Sequence, residues 1–214
     1  MTADRADSPT TEIQGIVFDY GGVFTVERVT DGILQAYESL LGWEPGALRQ
    51  HLFGSQAWID ASRGVIDLET YWALVGRPLE PLLPSSFLRF RRGPFGVEPL
   101  QSEIVAMARR LKGRYRLALC SNALVTLREE LARGPGLERC FQAIVVSAEV
   151  GLRKPDPRIY ELVAERLGLP IRSCLLIDDK ERNTSAARAI GMAAITFTSP
   201  AALARSLSEL GIQV

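Results

Sequence analysis

The 214-residue sequence predicts an α/β fold: a parallel sheet with helices on both faces, interrupted after its first strand by an all-helical insert. Three observations predict it. From residue 96 onward, short apolar runs alternate with helix-length amphipathic segments, which is the pattern of βαβ units. One further apolar run, Ile13 to Phe18, stands near the start and stops at Asp19 before Gly21 and Gly22. Between these parts, residues 26–95 show helical spacing and nothing strand-like. With 47% hydrophobic and 23% charged residues, the chain has the composition of a folded protein.

Each element follows in order. Residues 1–12 are polar and turn-forming, without the charged-then-apolar pattern of a signal peptide, and are expected to be loose. Ile13 to Phe18 reads as a buried strand ending in a tight turn. In the insert, Ile33, Leu34, Tyr37, Leu40 and Leu41 recur at helical spacing over Val29 to Leu41. Ala47 to Phe53, Leu68 to Val75 and Ser85 to Phe90 read as shorter helices, and Asp67 can cap the middle one. The alternation then begins. Helices are expected at Leu100–Leu111, Leu124–Ala132, Pro157–Leu167, Arg182–Ile190 and Pro200–Leu210. Strands are expected at Tyr115–Cys120, Ala143–Val146, Cys174–Ile177 and Ala193–Phe197. Right-handed crossovers bring every strand's carboxyl end to one edge of such a sheet.

The chain carries 25 basic and 25 acidic residues, so it has no net charge to draw it to nucleic acid or anionic lipid. No apolar run approaches the roughly 18 residues of a membrane helix. Three cysteines, Cys120, Cys140 and Cys174, read as buried thiols of a cytoplasmic protein. A single histidine, His51, excludes chemistry that needs two. Basic residues are almost all arginine: the only lysines are Lys112, Lys154 and Lys180. Arg89, Arg91 and Arg92 form a basic run near the end of the insert, expected to be solvated.

Parallel α/β sheets bind ligands beyond the carboxyl ends of their strands. Asp19, Ser121 with Asn122, Lys154, and Asp178 with Asp179 all fall there. Three carboxylates at one edge repel; at about 4 Å and an effective dielectric near 20, each pair costs about 4 kcal/mol. A hard cation removes that cost, and carboxylates with a backbone carbonyl suit magnesium. Magnesium in turn suits a phosphate-bearing substrate. Lys154, Ser121, Asn122 and the amides of Gly21 and Gly22 would suit phosphate oxygens. Singly, each feature has an ordinary reading as a turn, a helix cap or a loop lysine; their order along one sheet is what points to a site.

These residues resemble the haloacid dehalogenase-like hydrolase superfamily. The matching stretches are Phe18-Asp19-Tyr20-Gly21-Gly22-Val23-Phe24-Thr25, Cys120-Ser121-Asn122, Gly151 through Tyr160 with Lys154-Pro155-Asp156-Pro157, and Ile177-Asp178-Asp179 with Asn183 and Gly191. Arg63 to Glu69 resembles the cap segment of the subgroup with a small helical cap. The resemblance implies a three-layer Rossmann-like core over residues 13–25 and 96–214 and a cap over 26–95. It implies Asp19 as nucleophile, forming an aspartyl-phosphate. Magnesium would be held by Asp19, the Gly21 carbonyl and Asp179, with Asp178 assisting; Ser121, Asn122 and Lys154 would hold the phosphoryl group. The substrate would be a small phosphorylated metabolite and the chain a monomer or homodimer.

Gly21 departs from the superfamily's pattern, which usually has a second Asp there as general acid and base. Such help is worth about 10²–10⁴-fold. Glu27, His51 and Arg63 are candidates to replace it; for His51, helix packing is the simpler reading. Trp58, Arg63, Tyr71 and Trp72 are candidate substrate contacts, with Tyr71 and Trp72 more readily explained as core. Two other functions are compatible with parts of the pattern: a phospho-ligand-binding module without turnover, suggested by Gly21, and carbon–halogen hydrolysis, which Asp178-Asp179 argues against. Phosphonate cleavage needs a cap lysine, and residues 26–95 contain none.

Overall fold

A computed structural model describes residues 12–94, 98–133 and 136–214. The expected loose segment at 1–12 lies, but for Glu12, outside the described residues. Five parallel strands, β1 (Gly15–Phe18), β2 (Arg116–Ser121), β3 (Ala143–Val146), β4 (Cys174–Asp178) and β5 (Ala193–Thr196), form one sheet in the order β3-β2-β1-β4-β5. β1 therefore lies at the centre, paired to β2 on one side and β4 on the other. Because side chains alternate along a strand, β1 feeds two cores. Ile16 and Phe18 pack with Ile104, Ala108 and Leu111 of α5 (Ser102–Leu111) and with Leu203 and Leu207 of the C-terminal helix Pro200–Glu209. Val17 points the other way, into a core built with Ile159, Tyr160 and Val163 from helix Pro157–Leu167 and Ala187 from helix Glu181–Ala189.

The helical insert contains α1 (Glu27–Leu41), α2 (Ala47–Phe53), α3 (Gln56–Ala61) and α4 (Leu68–Val75), followed by a 3₁₀ segment over Ser85–Arg92. Its core is aromatic: Tyr37, Trp58, Tyr71, Trp72, Phe87 and Phe90 are buried, and Leu124 reaches into it from beyond β2. The two connections to the sheet run side by side. Thr25 pairs with Leu100, the Val26 amide donates to the Pro99 carbonyl at 3.0 Å, and the Gln101 amide donates to the Phe24 carbonyl at 2.7 Å. Beneath them Thr25 Oγ1 donates to buried Glu98 at 2.5 Å.

Differences from the expected elements have local causes. Helix α5 starts at Ser102 because Leu100 is engaged by Thr25. α6 (Leu127–Arg133) starts three residues late because Leu124 belongs to the insert's core. The Ser85–Phe90 segment is 3₁₀ and runs on to Arg92 before Gly93. Spacing gave no hint of α3, which has six residues and is capped by Ser55, nor of the four-residue α7 (Ser147–Val150). Such short helices lack a hydrophobic period. α8 (Pro157–Leu167), α9 (Glu181–Ala189) and α10 (Pro200–Glu209) complete the fold. Among the described residues, no helix is long and apolar enough to cross a membrane.

Candidate active site

A cavity of about 500 Å³ opens where β1, β2 and β4 end, the expected position for a ligand in a parallel sheet. Its wall contains Asp19, Gly21, Ser121, Asn122 and Asp179 from strand ends. Glu27, Arg49, Phe53 and Trp58 come from the insert, and Arg153, Lys180 and Arg182 from loops and from α9. Asp19 follows β1, its amide donating to the Ile177 carbonyl of β4 at 2.8 Å. The chain then turns sharply, with the Phe24 amide donating back to the Tyr20 carbonyl at 2.8 Å. Gly22 makes that turn at φ +72°, and a Cβ there would sit 2.5 Å from Asp179 Oδ2. Both the backbone angle and the close carboxylate therefore require glycine.

Asp19, Asp178 and Asp179 present oxygens within 4.8 Å of one another. Lys154 is buried between two of them, its Nζ 2.5 Å from Asp178 Oδ2 and 3.0 Å from Asp19 Oδ1. Asp178 is saturated. Oδ1 accepts from the Lys180 amide and from Asn183 Nδ2, both at 2.9 Å, and Oδ2 accepts from Lys154 and Asn183. Burial acts to raise its pKa, but the Lys154 charge and these hydrogen bonds outweigh it and hold the carboxyl below its ordinary value. Asp19 shows the opposite balance. Burial, aided by the two neighbouring aspartates, pushes its pKa up to about 8 against the pull of Lys154. The Asp179 Oδ2 pairs with Lys180 at 2.6 Å, while its Oδ1 is buried with no hydrogen-bond partner among the described residues.

The expected site residues take these positions. Asp178, expected among the metal-holding acids, lies in the acid cluster with both its oxygens engaged by donors, whereas Asp19 uses Oδ1 on the Tyr20 amide and Lys154, and Asp179 keeps Oδ1 without a donor among the described residues. Asn122, expected to offer its amide to phosphate, is turned onto the main chain of Lys154: Nδ2 donates to the Lys154 carbonyl at 2.9 Å and Oδ1 accepts the Lys154 amide at 2.8 Å. Its side chain sets the position of the lysine. The Gly22 amide is not bare, since it donates to Thr25 Oγ1 at 3.2 Å. Arg63 is not in the cavity wall; its carbonyl lies 4.0 Å from a Cβ built on Gly151. His51 is likewise elsewhere, Nε2 bonded to the Val75 carbonyl at 2.9 Å and its ring edge-on to Trp43.

Tyr71 and Trp72 are core residues, the tyrosine donating to the Leu52 carbonyl at 2.9 Å and the indole to Glu80 at 2.5 Å. The basic run is engaged locally: Arg91 pairs with Glu69, Arg92 with Glu129 and Glu130, and Arg89 donates to the Ser86 carbonyl. All three cysteines are free and buried, and burial pushes the Cys120 thiol up to about 12.

Glu27 and Trp58 do share the cavity with Asp19, and Lys180 Nζ stands 3.7 Å from Glu27 Oε2. The wall's four basic residues, Arg49, Arg153, Lys180 and Arg182, were not foreseen as part of a site. Arg153 and Lys180 adjoin residues singled out at strand ends, so their sequence neighbourhood held a signal. Arg49 had none, because only the fold of the insert brings α2 to the sheet.

Comparison with known proteins agrees with the fold. The chain belongs to the haloacid dehalogenase-like hydrolases, whose family model matches residues 13–191. "Phosphatase MT3486" of Mycobacterium tuberculosis is 28% identical over 93% of this chain and 95% of its own length. The phosphoserine phosphatase of Thermus thermophilus is 32% identical over 53% of this chain and 45% of its own. Among solved structures, a HAD-like family hydrolase of Porphyromonas gingivalis superposes with a TM-score of 0.73 at 20% identity, covering 94% of this chain and 99% of that one.

Proposed function

We propose that this hydrolase is a magnesium-dependent phosphatase that cleaves a small phosphorylated metabolite through an aspartyl-phosphate on Asp19. The observation that carries the proposal is the pair of clustered carboxylates, Asp19 and Asp179, facing one cavity beside a buried lysine, with Asp179 Oδ1 left without a donor among the described residues. The residues fit a divalent cation on a structural ground: a buried carboxylate oxygen, Asp179 Oδ1, has no donor, and a hard cation is what satisfies such an atom. Asp19, the Gly21 carbonyl and Asp179 would hold it, with Asp178 acting from behind through Lys154 and Asn183. When bound, magnesium supplies positive charge that offsets the repulsion between the nucleophile and the phosphate.

The chain's own groups do the rest. Asp19 in its ionised form attacks phosphorus, and the bond from phosphorus to the ester oxygen breaks. Lys154, held by Asn122 and Asp178, and Ser121 stabilise charge on the phosphoryl oxygens. Water then attacks the aspartyl-phosphate, releasing inorganic phosphate and restoring the carboxylate. Because Gly21 cannot move a proton, the alcohol must take one from another group. Glu27 is the wall carboxylate outside the aspartate cluster, and this reading assigns it that role. Residues 26–95 act as a cap whose closure excludes water from the cavity. The relatives named phosphatases support the reaction class.

Phosphate release from a panel of small phosphomonoesters, with and without magnesium, tests the proposal. Magnesium-dependent release that is lost in Asp19→Asn is expected. Release that survives the substitution overturns the nucleophile. Phosphate binding without turnover on any ester would favour the second reading, a ligand-binding module, which Gly21 alone supports.

A further inference from the structure

The cavity holds more positive charge than a single phosphoryl group accounts for. Arg153 lies in the loop before Lys154, Arg182 in the first turn of α9 and Arg49 on α2 of the insert, and all three line the same space. Two of them bury an N–H that finds no acceptor among the described residues: Arg153 at Nε and Arg49 at Nη2. Arg49 uses its Nε on Asp31 at 2.5 Å, whereas among the described residues no ion pair or hydrogen bond engages the side chains of Arg153 and Arg182. Burial, with the charges of Arg182 and Arg63 nearby, holds Arg153 below the usual guanidinium range. Buried donors and repelling cations are both unfavourable by themselves, and an anion removes both costs at once.

We infer that the substrate carries a second anionic group, a carboxylate or a further phosphate, and that Arg49, Arg153 and Arg182 receive it. The inference rests on the phosphatase reading and narrows it to bis-anionic metabolites. The wall acids face lysines, not these arginines. Asp19 and Asp179 are paired with Lys154 and Lys180, and Glu27 is nearest Lys180. Since Arg49 belongs to the insert and the other two to the α/β part, one anion would tie the two parts together and favour their closed arrangement. The planar guanidinium forks suit either carboxylate or phosphate oxygens.

Titration calorimetry of the magnesium-loaded enzyme with non-hydrolysable probes tests this. Propylphosphonate carries one anion; 3-phosphonopropionate and propane-1,3-bisphosphonate carry two and separate carboxylate from phosphate. One of the bis-anionic probes is expected to bind at least about tenfold tighter than propylphosphonate. Arg153→Met and Arg49→Met should each cut that preference to about twofold. Arg182→Met, at an exposed position, should reduce it as well and covers the case of a half-buried variant that does not fold. Equal binding of all three probes, or arginine variants that weaken propylphosphonate as much as the others, overturns the second-anion site and returns the arginines to the phosphoryl group. Hydrolysis of p-nitrophenyl phosphate by the unmodified enzyme, with and without magnesium, is run in parallel. Its absence together with no phosphonate binding overturns the phosphatase reading itself.

Discussion

Lys154 lies 2.5 Å from Asp178 and 3.0 Å from Asp19, and the two carboxyls respond in opposite senses. Asp178 has three further hydrogen bonds and stays ionised; Asp19 has fewer and is pushed up to about 8 by burial. The consequence for stability has a definite sign. An acid whose folded pKa is raised binds more protons folded than unfolded, so its contribution is complete below about pH 4 and is lost as pH rises through about 8. Melting of the metal-free protein against its Asp19→Asn variant should therefore show the variant gaining in relative Tm between pH 4 and 8; a constant difference would contradict the shift. Gly22→Ala forces a Cβ into the left-handed region, costing about 1–2 kcal/mol, and drives it against Asp179. A higher magnesium requirement, measured by titrating activity, is expected. Glu27→Gln should lower turnover of an alkyl phosphate by about 10²–10⁴-fold while affecting p-nitrophenyl phosphate, whose leaving group needs no proton, far less. Residue types announced Asp19, Lys154 and the Asp178-Asp179 pair. They could not announce that Asn122 grips the Lys154 main chain, because that depends on which loop faces β2.

The insert's helices were legible where they are long enough to show a hydrophobic period. α2 and α4 have the expected limits, and α1 starts two residues early. Their aromatic residues form a core of edge-to-face pairs, such as Trp58 with Tyr71 and Tyr37 with Phe87. Trp72 is completely buried on α4, so Trp72→Ala should cost about 3–5 kcal/mol and lower the denaturation midpoint accordingly. Chemical denaturation followed by circular dichroism measures this. A loss below about 1 kcal/mol would mean that this core tolerates a cavity. The same packing brings Arg49 to the cavity, which spacing along α2 could not show.

The sheet order puts β1 between β2 and β4, and this converts four separated motifs into one site. If the acid cluster holds a cation, magnesium should raise the Tm of the intact protein, and by more at pH 8 than at pH 5, since binding must displace the Asp19 proton. Equal shifts at both pH values, or none, would count against the cluster as a metal site. Hydrophobic periodicity and punctuation by Gly, Pro and Asp were sufficient to read the class of fold, the order of strands and helices, and the acids, lysine and serine at the strand ends. These are local signals, written in neighbouring residues. Which donors are already taken, which carboxylate keeps its proton and which arginines are left without partners emerged only from packing. Those properties depend on desolvation and on contacts between residues far apart in the chain, and no local pattern encodes them.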